Sequence, residues 1–168
     1  MHVTIVKGIA DDRIDILRPD GSEAQTRFPK KGPVPHDAVH FLVEEALGLG
    51  QGFWGLIAGG LHPDEVQEMA KAAGHASAKR AGVPDASIVQ LLQAERLVEC
   101  VEAMLWSGEC DASSLRDVAL GGCSASHVPL PEMSDDMILA IAARVFALRD
   151  DWFPAAPGHC WAFEWRVA

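Results

Sequence analysis

Arg13-Ile14-Asp15-Ile16-Leu17-Arg18, the turn Pro19-Asp20-Gly21, and Glu23-Ala24-Gln25-Thr26-Arg27-Phe28 form the stretch that decides the fold. Ile14 and Ile16 alternate with charged residues. Ala24, Thr26 and Phe28 alternate with Glu23, Gln25 and Arg27. Period two puts one set of side chains on a buried face and the other in water. Between the two runs Pro presets φ and Gly supplies a positive φ, so the chain reverses there. Upstream, Val3-Thr4-Ile5-Val6 is β-branched and strand-forming. The reading is a three-stranded antiparallel meander with one wet face.

The same alternation returns at the other end. In His159 to Val167, Trp161, Phe163, Trp165 and Val167 fall on one face, and Cys160, Ala162, Glu164 and Arg166 on the other. A meander alone leaves exposed edges, and this tail is predicted to cover one of them beside Val3–Val6 as a fourth strand. The middle of the chain is helical by spacing. Val39, Leu42, Val43, Ala46 and Leu47 trace a core-facing stripe on a helix from about Pro35 to Gly48. The apolar, Gly-rich stretch Gly50 to Gly60 reads as a packed loop or short helix. Further helices are expected from His62 towards Arg80, from about Ala86 to Ser107, from Asp111 or Ser113 to Leu120 with Gly121-Gly122 as the stop, and from Ser134 to about Arg149. The fold class is α+β: a small antiparallel sheet packed against about five helices.

Length and composition agree. A chain of 168 residues, 49% hydrophobic and 23% charged, suits one domain spanning 1–168 with a substantial core. The net charge is −10, and the basic residues are scattered. Nucleic acid and anionic membrane surfaces are therefore unfavourable partners. The N-terminus lacks the apolar run of a secretory leader, and no apolar run is long enough to span a bilayer. Cys100, Cys110, Cys123 and Cys160 have no C-x-x-C spacing, which points to reduced thiols, mostly buried, in a cytoplasmic protein.

The chemistry-bearing pattern is His36-Asp37-Ala38-Val39-His40. Histidines four apart on a helix stand one turn above each other and can chelate one ion. With Val39 at the centre of the apolar stripe, His36 falls about 60° and His40 about 100° away, on one shoulder. Glu44 continues that shoulder at about 140°, the border where a cleft would be lined. The pattern is similar to the H-E-x-x-H of zinc proteases, with Asp37 in the position of the Glu that serves there as general base. Asp37 and Glu44 are thus the candidate catalytic carboxylates. A third ligand is expected from His62, His75, His127 or a carboxylate on another helix.

The long helix supplies such carboxylates. Glu95, Glu99 and Glu102 share a stripe with the apolar Ile88, Leu91, Leu92 and Trp106, while Ala94, Leu97, Val98, Val101 and Leu105 form the opposite, core side. Facing helices would join His36 and His40 to Glu95 and Glu99 in a mixed N/O site suited to Zn, Mn, Fe or Ni. The same residues also read more plainly, as a helix-start histidine, a first-turn acid, a half-buried histidine and a solvated acidic stripe. Two functions follow. One is a metal-binding protein with hydrolytic capacity. The alternative is a non-catalytic binding module or homo-oligomeric assembly unit that uses its aromatic, Gly-rich surface.

The run Phe28-Pro29-Lys30-Lys31-Gly32-Pro33-Val34-Pro35-His36-Asp37-Ala38-Val39-His40-Phe41-Leu42-Val43-Glu44, followed by Gly52-Phe53-Trp54-Gly55, resembles a family of small uncharacterised bacterial proteins. The resemblance extends more loosely over Ala94-Glu95 and Leu105-Trp106-Ser107-Gly108. It implies a bacterial cytoplasmic protein and no particular chemistry.

Overall fold

A computed structural model describes residues 1–72 and 83–167. The meander forms as its alternation requires: β1 (His2–Val6), β2 (Asp11–Leu17) and β3 (Glu23–Pro29) pair antiparallel in sequence. The C-terminal strand β4 (Cys160–Glu164) pairs antiparallel with β1, with Val3 opposite Phe163 and Ile5 opposite Trp161. The sheet order is β3-β2-β1-β4. Val3, Ile5, Ile14, Ile16 and Phe163 make its buried face. The ring of Phe163 stacks on Phe41 at 3.9 Å between centroids, which seats the sheet on the first helix.

That helix, α1 (His36–Leu47), starts after Pro35 and stops at Gly48, whose φ of 64° is left-handed. It packs against the sheet on one side and against three further helices on others: α2 (Phe53–Ala58), α4 (Val89–Ser107) and α6 (Asp135–Trp152). Every residue from Asp37 to Glu44 is buried as a result. Between α2 and α4 lies α3 (Pro63–Ala72), and a 3₁₀ turn (Ala86–Ile88) leads into α4. The continuation of the third helix towards Arg80, and His75 with it, lie outside the described residues.

One helix end is corrected. The pair Gly121-Gly122 does not end a helix: α5 (Ala112–Ala125) runs through both. A Cβ on Gly122 would stand 3.6–3.8 Å from the Arg96 side chain, so a small residue here lets α5 lie close along α4. The stretch 50–60 is packed, as its composition leads one to expect: it carries α2, with Trp54 fully buried and Phe53 nearly so. The Trp54 indole N–H donates to the Asp37 carbonyl at 2.8 Å. Of the thiols only Cys123 is buried, Cys100 and Cys110 being intermediate and Cys160 exposed. Among the described residues no helix is long and apolar enough to cross a membrane.

Candidate metal centre

α1 and α4 lie side by side, and their polar shoulders meet as the H-x-x-x-H and acidic-stripe patterns require. His36 and His40 come together, their ring centroids 4.8 Å apart at an interplanar angle of 74°. Both then face Glu95 on α4. His36 Nε2 stands 3.8 Å and His40 Nε2 3.5 Å from Glu95 Oε2. One ligand atom from each of the three residues can be chosen so that all lie within 4.8 Å of one another, and the cluster could hold a metal ion. Two ligands each about 2.1 Å from a tetrahedral ion stand about 3.4 Å apart. The contacts to Glu95 are therefore near ligand-to-ligand spacing, and too long for good hydrogen bonds.

Each imidazole is oriented from behind. His40 Nδ1–H donates to Glu44 Oε1 at 2.8 Å, and His36 Nδ1–H donates to Glu102 Oε1 at 2.9 Å. With Nδ1 committed as donor, the neutral ring carries its lone pair on Nε2, the nitrogen turned towards Glu95. His40 Nε2 is fully buried and has no hydrogen-bond partner among the described residues. A buried nitrogen in that state is costly, and a metal ion would satisfy it.

Glu44 is the most deeply fixed group of the set. It is 0% exposed, and besides the His40 ring it accepts the backbone N–H of Phe53 on Oε1 and of Trp54 on Oε2, both at 3.0 Å. These amides open α2, so they are unpaired helix-start donors. The approach depends on Gly52. A Cβ there would fall 2.5 Å from Glu44 Cδ. The sequence reading placed Glu44 and His40 at a half-exposed border. The structure corrects both: α2 covers that shoulder, leaving His40 1% exposed. With its oxygens engaged on His40 Nδ1 and two amides, Glu44 orients the His40 ring and stands outside the three-residue cluster.

The remaining candidates separate. Asp37 is buried and lines a cavity of about 20 Å³ together with His36, Lys31 and Gln67. Glu99 is not gathered into the cluster. It is half-exposed and pairs with Arg96 Nη1 at 2.7 Å. Glu102, on the predicted stripe but not in the predicted ligand set, takes the place next to His36. Helical angle alone carries that signal, since Glu102 falls about 20° from Glu95 and Glu99 about 40° to the other side. Of the other histidines considered as a third ligand, His62 is paired with Asp64 near the start of α3, and His127 follows α5; neither joins the cluster.

The electrostatics follow from burial and carboxylates. Burial opposes a charge on His40, yet the Glu95 charge and the Glu44 hydrogen bond outweigh it and push the ring up to about 10. His36 is likewise raised, its burial overcome by the hydrogen bond to Glu102 and by the Glu95 carboxylate beside it. Burial pushes the Asp37 carboxyl up, against the pull of His36 and His40. It raises Glu44 too, opposed by the His40 ring and the Trp54 and Phe53 amides. The pocket is thus rich in negative charge and holds protons where a divalent cation would compete for the same atoms.

Set against family models, curated proteins and solved structures, the chain finds no match.

Proposed function

We propose that this protein binds a divalent transition metal, Zn, Mn, Fe or Ni, through His36 Nε2, His40 Nε2 and a Glu95 oxygen. One observation carries the reading. Both rings are held by carboxylates at Nδ1 and converge through Nε2 on a third carboxylate. Carboxylate–histidine–metal arrangements have this form, with the outer acid fixing the tautomer and raising ligand basicity. Two imidazoles and one carboxylate also form the donor set of open sites, where water fills the remaining positions.

Such a site supports hydrolysis, because a bound metal lowers the pKa of coordinated water to about 7. Asp37, which lines a cavity with His36 though not with His40 or Glu95, is the carboxylate we assign as the base that would take a proton from such a water. Glu44 acts through His40 as a positioning residue.

The test is elemental analysis of untagged protein, followed by thermal unfolding with added Zn²⁺, Mn²⁺, Ni²⁺ or Fe²⁺. Near-stoichiometric metal, lost in the His36→Ala/His40→Ala double variant, is the expected result. At a metal concentration 100 times Kd the gain is about 2.7 kcal/mol. Metal-free protein that none of the four ions stabilises would overturn the assignment.

A further inference from the structure

The flank of α4 turned away from α1 carries a second feature, independent of the metal centre. Between α4 and α5 lies an open groove of about 420 Å³. Its floor is apolar: Ala103 and Met104 from α4, Leu115 and Val118 from α5, with Cys100 and Cys110 along it. Val118 is 61% exposed at its edge, above the mostly buried Met104 and Leu115. An apolar floor opening on a concavity of ligand size, with a few polar groups at its rim, is the usual form of a binding site.

The rim states the sign of the partner. Glu109 and Asp111 line the groove, and no Lys, Arg or His does so among the described residues. Asp111 caps α5 by accepting from the Ser114 N–H, which favours its ionised form. Nearby Arg116 is engaged with Asp135 and the Met133 carbonyl. With the chain at −10 overall, the field at the groove attracts cations and repels a second copy of the same surface.

We propose that the α4–α5 groove docks a basic amphipathic peptide segment of a partner protein, seating an apolar side chain on Met104, Leu115 and Val118 and placing Lys or Arg beside Glu109 and Asp111. The segment gives its apolar stripe to the groove floor, as amphipathic helices do in hydrophobic grooves. Its charges set orientation and association rate.

A fluorescent amphipathic Lys/Leu peptide and its Glu/Leu counterpart, added to the full chain, test this. The Lys/Leu peptide should bind, more weakly as salt rises, and the Glu/Leu peptide should not. Val118→Lys removes an apolar contact and adds a charge of the peptide's own sign at a position 61% exposed. It should weaken binding about tenfold. Glu109→Gln with Asp111→Asn keeps an N-cap and should flatten the salt dependence. Binding should also slow alkylation of Cys110 in the groove and leave the exposed Cys160 unchanged. Equal binding of both peptides, or indifference to Val118→Lys, would overturn the proposal. So would concentration-dependent self-association abolished by Val118→Lys, since the occupant would then be a second copy.

Discussion

His40 Nδ1 stands 2.8 Å from Glu44 Oε1, and the pair is sealed from solvent under the first turn of α2. The acid therefore decides which ring nitrogen is left to bind. Glu44→Gln keeps the shape but offers an amide that can present either an oxygen or an NH₂ group to His40. Loss of such an outer carboxylate costs roughly 10–100-fold in metal affinity. Chelator competition should show that loss for Glu44→Gln while the far-UV spectrum stays native. A purely structural Glu44 would instead lower the melting temperature and leave Kd unchanged.

Proton and metal should compete in a defined window. His40 titrates at about 10 in the folded chain against an ordinary 6.5. A raised folded value means that the protonated ring stabilises the metal-free protein. That contribution is fully present below about pH 6.5 and is lost as pH rises through about 10. Melting temperature of metal-free protein should accordingly fall across this interval. Metal affinity should rise over the same interval, because binding must displace the proton. A His40→Gln variant should lose much of both slopes; wild-type curves that match it would remove His40 as the cause.

Glu102 and Glu99 should behave differently. Glu102 accepts from His36 Nδ1 at 2.9 Å, whereas the Glu99 carboxylate pairs with Arg96. Glu102→Gln is expected to weaken metal binding about tenfold or more, and Glu99→Gln by less than about twofold. Equal effects of the two substitutions would show that the stripe acts only through its summed charge.

Much of this arrangement is legible before any coordinates. Strict alternation fixes the meander and the pairing of β4 with β1, because one-residue slips would turn Val3, Ile14 or Phe163 into water. The meeting of His36 and His40 with Glu95 follows from two polar shoulders that each need an answer. What the stripe analysis misses is the burial of His40 and Glu44. A helical wheel counts apolar residues, and it does not know that α2 will bring two free amides to a carboxylate. That contact depends on Gly52, which local sequence marks only as a breaker. Gly121-Gly122 misleads in the opposite sense: the pair does not end the helix, and Gly122 lies in van der Waals contact with the Arg96 side chain.

Gly52→Ala isolates that device. Gly52 has a φ of −76°, so the backbone tolerates alanine, but the added Cβ would press 2.5 Å from Glu44 Cδ and 2.6 Å from Oε2. Overpacking of this kind costs about 1–3 kcal/mol. Displacing Glu44 should also release His40 and weaken metal binding. Gly121→Ala is the control, with nothing within 4 Å of its Cβ inside α5, and should stabilise by roughly 0.5–1 kcal/mol. Unchanged stability and metal affinity in Gly52→Ala would mean that Glu44 moves freely, against its engagement by three N–H donors.

The C-terminal strand should be indispensable to the fold. It covers β1 along its length, and the chain ends are tied further: Trp165 N–H donates to the Met1 carbonyl at 2.8 Å, and Gly158 N–H to the Lys7 carbonyl at 2.7 Å. Phe163 is 9% and Trp165 4% exposed. Phe163 stacks on Phe41 and meets Trp54 edge-on with centroids 5.0 Å apart, so it touches α1, which carries His36 and His40, and α2, which covers them. Truncating one buried aromatic to alanine costs about 3–5 kcal/mol. Two such losses, about 6–10 kcal/mol, are of the same size as the roughly 5–15 kcal/mol that holds a typical domain together. Deletion of residues after Pro157 should therefore give protein that aggregates, or melts without a cooperative transition and binds a hydrophobic dye. The milder Phe163→Ala should stay folded at low temperature and melt lower. Its melting point should recover on adding metal if the cluster survives. A truncated chain that unfolds in one sharp transition near the wild-type temperature would show that the sheet needs only its meander.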